Sequence, residues 1–397
     1  MTAKTAQNHR GSFLLVFFEK MLTFPISKQP NKPDNIYDTA IVGGGPAGTT
    51  LARLLAEKHI SVAIFDRKKS DPAGGGFQKL CGGLLAEDAQ CALARQGLSL
   101  PKSVLADPQL SSVRTIDFFT RRERTYRRFY INMNRHRFDL WLKSLVPAGI
   151  AEFDEAIVRR FSRDAETGIF TIEFRDAGGN ARTLRARTLV GADGARSLVR
   201  SKIFPQHKIR DYTAIQEWFP LPRGSKPLYA CFFDERLTDC YGWAVAKDGA
   251  LVFGGAFPPH GASRAYDVLL GRAREFGFAL QNPLRTEACS VLRPERWSDF
   301  VLGDGRGVFL VGEAAGLISP SSFEGLSYAL DSAEILADVL SATRPAVPEF
   351  HRTLAENYAA HMIRLRLKLL LKILKNPFLY NPSLRKIVMA SGIGALA

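Results

Sequence analysis

The chain has 397 residues, and 46% of them are hydrophobic, which is enough for a large buried core spread over two or three domains. Charged residues make up 23%, so a collagen-like, coiled-coil or wholly disordered chain is excluded. The formal net charge of +15 favours an anionic partner, a class that includes nucleic acid, a membrane surface and phosphate-bearing ligands.

The N-terminal residues predict an extension and a linker over residues 1–33. A short apolar run, Phe13–Phe18, is followed by a polar, proline-containing stretch at 28–34. The run falls well short of the about 20 apolar residues that cross a membrane. We therefore expect either an overextended start, with Met21 as a second initiator, or a peripheral anchor.

Cysteine and histidine usage predicts a cytoplasmic protein without a disulfide framework or a metal site. The cysteines are odd in number, widely spaced and free of any C-x-x-C motif, which indicates reduced thiols. The seven histidines show no metal-ligand spacing. The five cysteines are Cys81, Cys91, Cys231, Cys240 and Cys289.

The first predicted unit is a strand, a glycine-rich turn, a helix and a second strand. Tyr37–Val42 predicts a strand, Thr49–Lys58 has helical spacing, and Val62–Phe65 predicts the next strand. The turn, Gly43-Gly-Gly-Pro-Ala-Gly48, fits G-x-G-x-x-G, which brings backbone N–H groups and a helix N-terminus to a pyrophosphate. Asp66 ends the second strand, where it can accept ribose hydroxyls, and an acid there favours FAD or NAD over NADP.

Two later segments repeat the strand-to-helix turn. In Leu189–Arg200 a strand breaks at Asp193-Gly194, and in Gly307–Pro320 a strand is followed by Gly312-Glu-Ala-Ala-Gly316. Either segment alone is compatible with an ordinary α/β turn, but three such turns in this order indicate one nucleotide site. The middle of the chain predicts mostly strands, so we expect an α/β protein with a Rossmann-like FAD-binding domain and an inserted antiparallel β-sheet domain.

The predicted domains are discontinuous along the chain. We expect the FAD-binding domain over residues 34–108, 131–205 and 295–345. The substrate-binding sheet domain is expected over 109–130 and 206–294. Residues 346–397 are expected to form C-terminal basic amphipathic helices.

Two basic stretches account for the net charge. Seven arginines lie between Arg121 and Arg137, and residues 357–397 contain no Asp or Glu. His361–Lys375 interleaves cations with Leu and Ile at helical spacing, a pattern suited to an anionic bilayer surface. The alternative is a helix that packs on the flavin domain with solvated cations. Nucleic acid is not an expected partner, because no binding motif accompanies the charge.

These motifs resemble those of flavoproteins of the p-hydroxybenzoate hydroxylase fold and, within that fold, of the geranylgeranyl reductase family. The resemblance covers residues 37–393. The shared motifs are Gly43–Gly48, Asp66, Lys79-Leu-Cys-Gly-Gly83, Arg135-x-x-Phe-Asp139, Gly191-Ala-Asp-Gly-Ala-Arg196, Gly312–Gly316, Pro320 and Glu324-Gly325. The chain is also similar to the bacterial CbrA-like branch in the motifs Cys81-Gly-Gly-Leu-Leu85, Asn134-Arg-His136, Asp239-Cys-Tyr241, Gly254-Gly-Ala256 and Gly312–Gly316.

The resemblance implies that FAD is the cofactor. The glycine turn and Asp66 would hold its ADP half, Arg135 would lie along the pyrophosphate and ribityl chain, and Asp193 would sit beside the phosphate–ribityl region. Glu313 replaces the family's usual Asp, and Gly316 stands where aromatic hydroxylases have a bulkier residue, which favours the reductase branch. The expected cofactor-binding residues are Gly43, Gly45, Pro46, Ala47, Gly48, Asp66, Arg67, Lys79, Cys81, Gly82, Arg135, Asp193, Gly312, Glu313, Gly316 and Gly325.

The substrate side departs from the family pattern, so we expect an altered pocket. Tyr241-Gly-Trp243 matches the family motif, whereas Val245-Ala246 replaces Phe-Pro and Gly254-Gly-Ala256 replaces G-x-G. Trp218, Tyr241 and Trp243 are the expected walls of a lipophilic pocket, with sheet-core aromatics as the alternative.

Cys81 is the candidate catalytic residue. It lies in a glycine-flanked loop near Lys79, which favours a flavin-proximal thiol that shapes or protonates the site. The alternative is a small residue that permits close packing. Cys231, Cys240 and Cys289 are expected to be buried apolar filler.

The combined expectation is an oxidoreductase in which reduced FAD delivers hydride to a C=C bond of a lipophilic, isoprenoid-type substrate. The reductant would be NAD(P)H or a ferredoxin-type donor. The alternatives are a FAD-dependent monooxygenase of the same fold and a non-enzymatic, membrane-associated flavoprotein. The expected location is the cytoplasm, with peripheral attachment at the inner face of the cytoplasmic membrane.

Overall fold

A computed structural model of the chain describes residues 35–71, 79–221, 224–342 and 350–391. The predicted extension, 1–33, lies outside these residues. The strands of the described part are β1 (Ile36–Val42), β2 (Val62–Phe65), β3 (Leu84–Leu85), β4 (Leu110–Asp117), β5 (Arg122–Asn132), β6 (Ala151–Phe153), β7 (Ile157–Arg163), β8 (Phe170–Arg175), β9 (Ala181–Gly191), β10 (Asp211–Pro220), β11 (Tyr229–Phe233), β12 (Gly242–Lys247), β13 (Ala250–Phe257), β14 (Arg285–Leu292) and β15 (Val308–Leu310). The α-helices are α1 (Pro46–Glu57), α2 (Glu87–Arg95), α3 (Arg135–Ser144), α4 (Leu198–Ile203), α5 (Ala262–Glu275), α6 (Leu326–Ala342), α7 (Phe350–His361), α8 (Ile363–Tyr380) and α9 (Pro382–Ser391).

The first sheet carries the nucleotide-binding turn. Its strand order is β6-β2-β1-β9-β8-β7, and β15 also pairs with β9. β1 lies between β2 and β9 and pairs with both in parallel. All four residues of β2 are buried, as expected for a parallel strand covered on both faces. The predicted α/β, Rossmann-like architecture is confirmed.

The second sheet has the order β14-β10-β13-β12-β11-β4-β5-β3. It is antiparallel, as predicted, except that β11 pairs with β4 in parallel, with Cys231 opposite Thr115. A parallel pair cannot be joined by a hairpin. Between β5 and β10 the chain forms β6–β9 of the first sheet, so the second sheet is assembled from two distant segments. The predicted domain boundaries stay a prediction.

The two faces of the second sheet have different neighbours. One face packs its aromatic residues, among them Phe232, Phe253 and Phe257, against α5. On the opposite face, Trp243 and Cys289 pack in one cluster with Ala195 and Ile318, which follow the second and third turns of the nucleotide domain. The space between the two sheets therefore contains the candidate site.

The C-terminal helices pack against both sheets. Tyr358 of α7 donates a hydrogen bond to the carbonyl oxygen of Leu310 at 3.1 Å, and Arg385 of α9 pairs with Asp117 at 2.8 Å. The predicted helix at His361–Lys375 is divided, because α7 ends at His361 and α8 begins at Ile363. Among the described residues, no helix combines the length and apolar character that crossing a membrane requires.

Candidate active site

The first turn leaves the N-terminus of α1 open. Gly43 has a φ of +111°, and a Cβ there would lie 2.4 Å from the carbonyl oxygen of Ala192. At Gly48 a Cβ would lie 1.9 Å from the carbonyl oxygen of Gly43, so strand and helix can meet only through glycine. In contrast, a Cβ at Gly45 would have no neighbouring atom of the described residues within 4 Å. The helix N-terminus therefore faces free space, where its N–H groups and dipole favour an anion.

The three turns come together at this point. The first turn meets the second through Gly43 and Ala192. The third meets α1, because a Cβ at Gly312 would lie 3.0 Å from the Cβ of Ala47. The second approaches the third, because a Cβ at Gly194 would lie 3.9 Å from Oε2 of Glu313. Segments separated by more than a hundred residues thus surround one opening.

Asp66 lies beside the first turn, at the end of β2. Its Oδ1 accepts a hydrogen bond from the Lys68 amide at 3.1 Å, and a Cβ at Gly44 would lie 2.7 Å from its Oδ2. Burial raises the pKa of Asp66. The adjacent Arg67 is exposed. The carboxylate is therefore beside the open helix N-terminus, where a ribose would need it.

Asp193 contributes a buried oxygen to the second turn. Its Oδ2 accepts the Leu198 amide at 2.7 Å and so caps α4. Its Oδ1 is buried and has no hydrogen-bond partner among the described residues. Burial raises the pKa of Asp193. Because an unsatisfied buried oxygen is costly, this atom fits a site that a hydroxyl-bearing ligand completes.

Glu313 connects the third turn to the second sheet. Its Oε2 pairs with Lys79, and its Oε1 accepts the Leu292 amide at 3.0 Å. The extra methylene relative to the family's Asp lets the carboxylate reach β14. Burial alone would lower the pKa of Lys79, but the interactions with the Glu313 carboxylate outweigh burial, so the pKa is raised overall. Lys79 therefore remains charged at neutral pH.

Of two further predicted cofactor-binding glycines, Gly316 and Gly325, only the first is required by the protein's own backbone. Gly316 has a φ of +76°, and a Cβ there would lie 2.3 Å from the carbonyl oxygen of Asp299, so the backbone requires glycine. At Gly325, just before α6, a Cβ would make only ordinary van der Waals contact with Ile318, at 3.6 Å, so the described residues do not require glycine there.

Cys81 lies beside a charged pair. Arg135 donates to Oδ1 of Asp139 at 2.6 Å and interacts electrostatically with Cys81. The sulfur accepts the Gly83 amide at 3.4 Å, and no atom lies within 4 Å of a Cβ position at Gly82. Burial lowers the pKa of Arg135, but Asp139 and Cys81 raise it overall. The loop thus presents a thiol beside a permanent cation and an open space.

Lys247 fixes this loop and was not foreseen from the sequence. Its buried ammonium donates to the carbonyl oxygens of Gly83 and Met133 at 3.1 and 2.5 Å and to Oδ1 of Asn132 at 2.7 Å. Burial lowers its pKa to about 8. The sequence did contain a signal for this position. Lys247 follows Trp243 and Val245 at alternate positions of β12, and alternate residues of a strand share one face, so the lysine is on a buried face.

Cys289 also belongs to the site, contrary to the prediction of apolar filler. It is only half-buried, because β14 is an edge strand, and it interacts electrostatically with Lys79 and Glu313. Burial raises its pKa to about 11, so the thiol keeps its proton at neutral pH. Cys231 and Cys240 are buried, as predicted.

The predicted substrate aromatics form two groups. The rings of Tyr241 and Trp243 are 6.1 Å apart, and the Tyr241 hydroxyl donates to the carbonyl oxygen of Ser322 at 2.8 Å. Trp218 lies two strands away from Trp243 on the same face. There its indole N–H donates to Glu287 at 3.0 Å, and Arg285 stacks 4.1 Å from its ring.

Two buried polar atoms on this face, an acceptor on Gln216 and a donor on Trp243, have no hydrogen-bond partner among the described residues. Gln216 is 1% exposed, and its amide nitrogen donates to Glu287 at 2.7 Å. Because a carboxylate only accepts, the Gln216 Oε1 is the free atom, and it is buried without a partner among the described residues. The Nε1 of Trp243 is likewise buried and unpaired. Both residues close over Gly254, where a Cβ would lie 2.7 Å from each side chain.

Comparisons with known proteins identify the family and the fold of the chain. Residues 41–77 match the NAD(P)-binding Rossmann-like domain family. Protein CbrA of Escherichia coli O1:K1 is 46% identical over 357 residues, which cover 90% of this chain and 94% of that protein. The chain belongs to the CbrA family. Protein CbrA of Shigella flexneri serotype 5b is also 46% identical, over 358 residues with the same coverage of both chains.

Solved structures show which fold the CbrA family has. A geranylgeranyl bacteriochlorophyll reductase-like protein from Thermoplasma acidophilum has a TM-score of 0.68 at 17% identity and covers 90% of this chain and 99% of its own. PqsL of Pseudomonas aeruginosa, named a probable FAD-dependent monooxygenase, has a TM-score of 0.64 at 17% identity and covers 90% and 100%. An HpxO variant of Klebsiella pneumoniae complexed with FAD has a TM-score of 0.63 at 16% identity and covers 89% and 94%. The CbrA family therefore has the fold of FAD-dependent monooxygenases and reductases.

Proposed function

We propose that the protein is a FAD-dependent oxidoreductase that reduces C=C bonds of a lipophilic, isoprenoid-type substrate, attached peripherally at the inner face of the cytoplasmic membrane. The observation that carries the proposal is the convergence of three turns on the open N-terminus of α1. When bound there, FAD supplies hydride transfer. NAD(P)H or a ferredoxin-type donor would supply the electrons.

The chain's own residues fit the cofactor. The amides at the start of α1 would bind its pyrophosphate, since Gly45 leaves them accessible. Asp66 would accept the ribose hydroxyls, and the unpaired Oδ1 of Asp193 would accept a ribityl hydroxyl. The permanent cation of Arg135 would neutralise phosphate charge.

The opposite wall of the space supports a largely apolar substrate with one polar group. Tyr241 and Trp243 supply aromatic surface, whereas Gln216 and Trp243 leave an acceptor and a donor unpaired. A hydroxyl or carboxylic acid on the substrate would satisfy both. Cys289, whose pKa is about 11, holds a proton that could follow the hydride onto carbon.

The test is an anaerobic turnover of the reduced holoenzyme with polyprenyl substrates that carry a polar end. We expect flavin absorbance to return while the substrate gains one pair of hydrogens, measured by mass spectrometry. The second candidate, a FAD-dependent monooxygenase, is favoured by the fold shared with PqsL and HpxO. A monooxygenase would require oxygen and would add one oxygen atom to the substrate. If no substrate is converted and none accelerates flavin reoxidation, with or without oxygen, the non-enzymatic alternative is favoured.

Cys81→Ala tests the thiol beside Arg135. We expect substrate-dependent flavin reoxidation to slow by at least about tenfold, because the variant removes a thiol that interacts with Arg135 and lies beside the open space at Gly82. FAD content should stay unchanged, measured from the visible absorbance per protein. Cys91→Ala, an exposed thiol on α2, is the matched control. Normal kinetics in Cys81→Ala would assign this residue to packing alone.

A further inference from the structure

One face of α8 is packed into the protein. Leu365, Leu369 and Leu379 are at most 9% exposed and lie on this inner face. The guanidinium of Arg366 stacks 3.9 Å from the ring of Trp297. The rest of the protein therefore covers this face of α8. This packing does not explain apolar residues that are exposed on the opposite face of the helix.

The opposite face of α8 carries a row of exposed apolar side chains, which we call the outer stripe. Its residues recur at intervals of four, four, three and four positions, so they share one helix face about 22 Å long. They are Ile363 (43% exposed), Leu367 (47%), Leu371 (67%), Leu374 (61%) and Phe378 (55%). Ile387 on α9 is a further apolar residue, 63% exposed. A contiguous apolar row of this kind marks an interaction surface.

The charged side chains of the chain segment that carries the outer stripe are all basic. Residues 357–397 contain no Asp or Glu. Among the described residues, Arg364, Lys375 and Lys386 have no ion-pair partner, whereas Lys368 pairs with Asp88 at 2.5 Å. Burial and the nearby cations Lys372 and Arg128 lower the pKa of Lys375. Positive charge is therefore concentrated beside the stripe.

The structure also brings the two basic stretches of the sequence onto one side of the molecule. Arg124 of β5 donates to the carbonyl oxygen of Met389 on α9. Arg128, on the same strand, acts electrostatically on Lys375 of α8. Cations from residues far apart in the chain thus lie beside the two adjacent helices α8 and α9.

We propose that the outer stripe and its cations form a surface that binds an anionic phospholipid bilayer. The apolar row would enter the headgroup–acyl boundary while the cations contact phosphate groups. A second copy of this chain fits less well, because a two-fold contact would bring unneutralised cations together. This inference rests on the proposed membrane attachment and names the residues that provide it.

The experiment is co-sedimentation of the full-length holoprotein with vesicles of phosphatidylglycerol and phosphatidylcholine. We expect binding that weakens with salt and is lost on pure phosphatidylcholine. The double variant Leu371→Glu/Leu374→Glu should bind the anionic vesicles at least about tenfold more weakly, because it removes apolar insertion and adds negative charge. Both side chains are more than 60% exposed, so the fold should tolerate the change.

Leu284→Glu is the matched control, since Leu284 is an equally exposed leucine (66%) distant from α8 in the chain. It should bind vesicles like the wild type. Unchanged binding by the double variant would overturn the proposal. The proposal would also be overturned if the wild type formed a dimer that did not bind vesicles and the double variant were a monomer, as measured by analytical ultracentrifugation.

The chemistry is tested separately with detergent-dispersed substrate. A double variant that no longer binds vesicles but still reduces this substrate supports both the surface and the proposed reaction. Vesicle binding by wild type without any substrate reduction would overturn the reaction and leave the surface intact.

Discussion

Gly45→Asp is expected to yield folded, colourless protein. The carboxylate would enter the open space at the N-terminus of α1 and repel the pyrophosphate that we assign to it. Flavin content should fall by at least about a hundredfold, since a buried like-charge contact costs several kcal/mol. The measurement is visible absorbance per protein after reconstitution with excess FAD.

Gly271→Asp is the control for this substitution. Gly271 lies within α5, also has nothing within 4 Å of a Cβ position, and is remote in the chain from the three turns. This variant should retain the flavin of the wild type. Full flavin content in Gly45→Asp would contradict the assignment of the turn.

Arg385→Met is expected to destabilise the protein by about 3–5 kcal/mol. Arg385 and Asp117 are 1% and 0% exposed, so the substitution leaves a buried carboxylate without its cation. Burial raises the pKa of Asp117, but hydrogen bonds from Arg385 and Thr120 outweigh it and lower the pKa overall. The contribution of the pair is therefore present above the unfolded pKa of about 3.9 and disappears as the pH falls.

Urea unfolding measures this effect. The deficit of Arg385→Met should be largest near neutral pH and should shrink in acid, because a protonated Asp117 needs no cation. Lys386→Met, at the exposed neighbouring position, should stay within about 0.5 kcal/mol of the wild type. An equal loss in both variants, or a loss independent of pH, would show that the ion pair is not the cause.

The sequence was sufficient to predict the fold class because the nucleotide-binding turn is a local pattern. A buried strand, Gly43–Gly48 and Asp66 specify a β-α-β unit within about thirty residues. The C-terminal helical segment was also predictable from its periodicity, although the break at Met362 was not. Local spacing does not reveal where a helix changes direction to follow a surface.

The rest of the site depends on contacts between distant segments. Glu313 pairs with Lys79 across 234 residues, and Lys247 bonds to Gly83 across 164. Neither partner is identifiable from spacing, since the registers of β12 and β14 decide which side chains face the nucleotide domain. The same applies to Cys289, which resembles a core cysteine until its edge-strand position is known.

The contact between Arg385 and Asp117 spans 268 residues of the chain. At a synthesis rate of about 5–20 residues per second, the carboxylate leaves the ribosome about 13–54 s before its guanidinium. Throughout that interval Asp117, the last residue of β4, lacks the guanidinium that binds its Oδ2 in the folded protein. A translation product that ends before Arg385 therefore keeps Asp117 without its ion-pair partner.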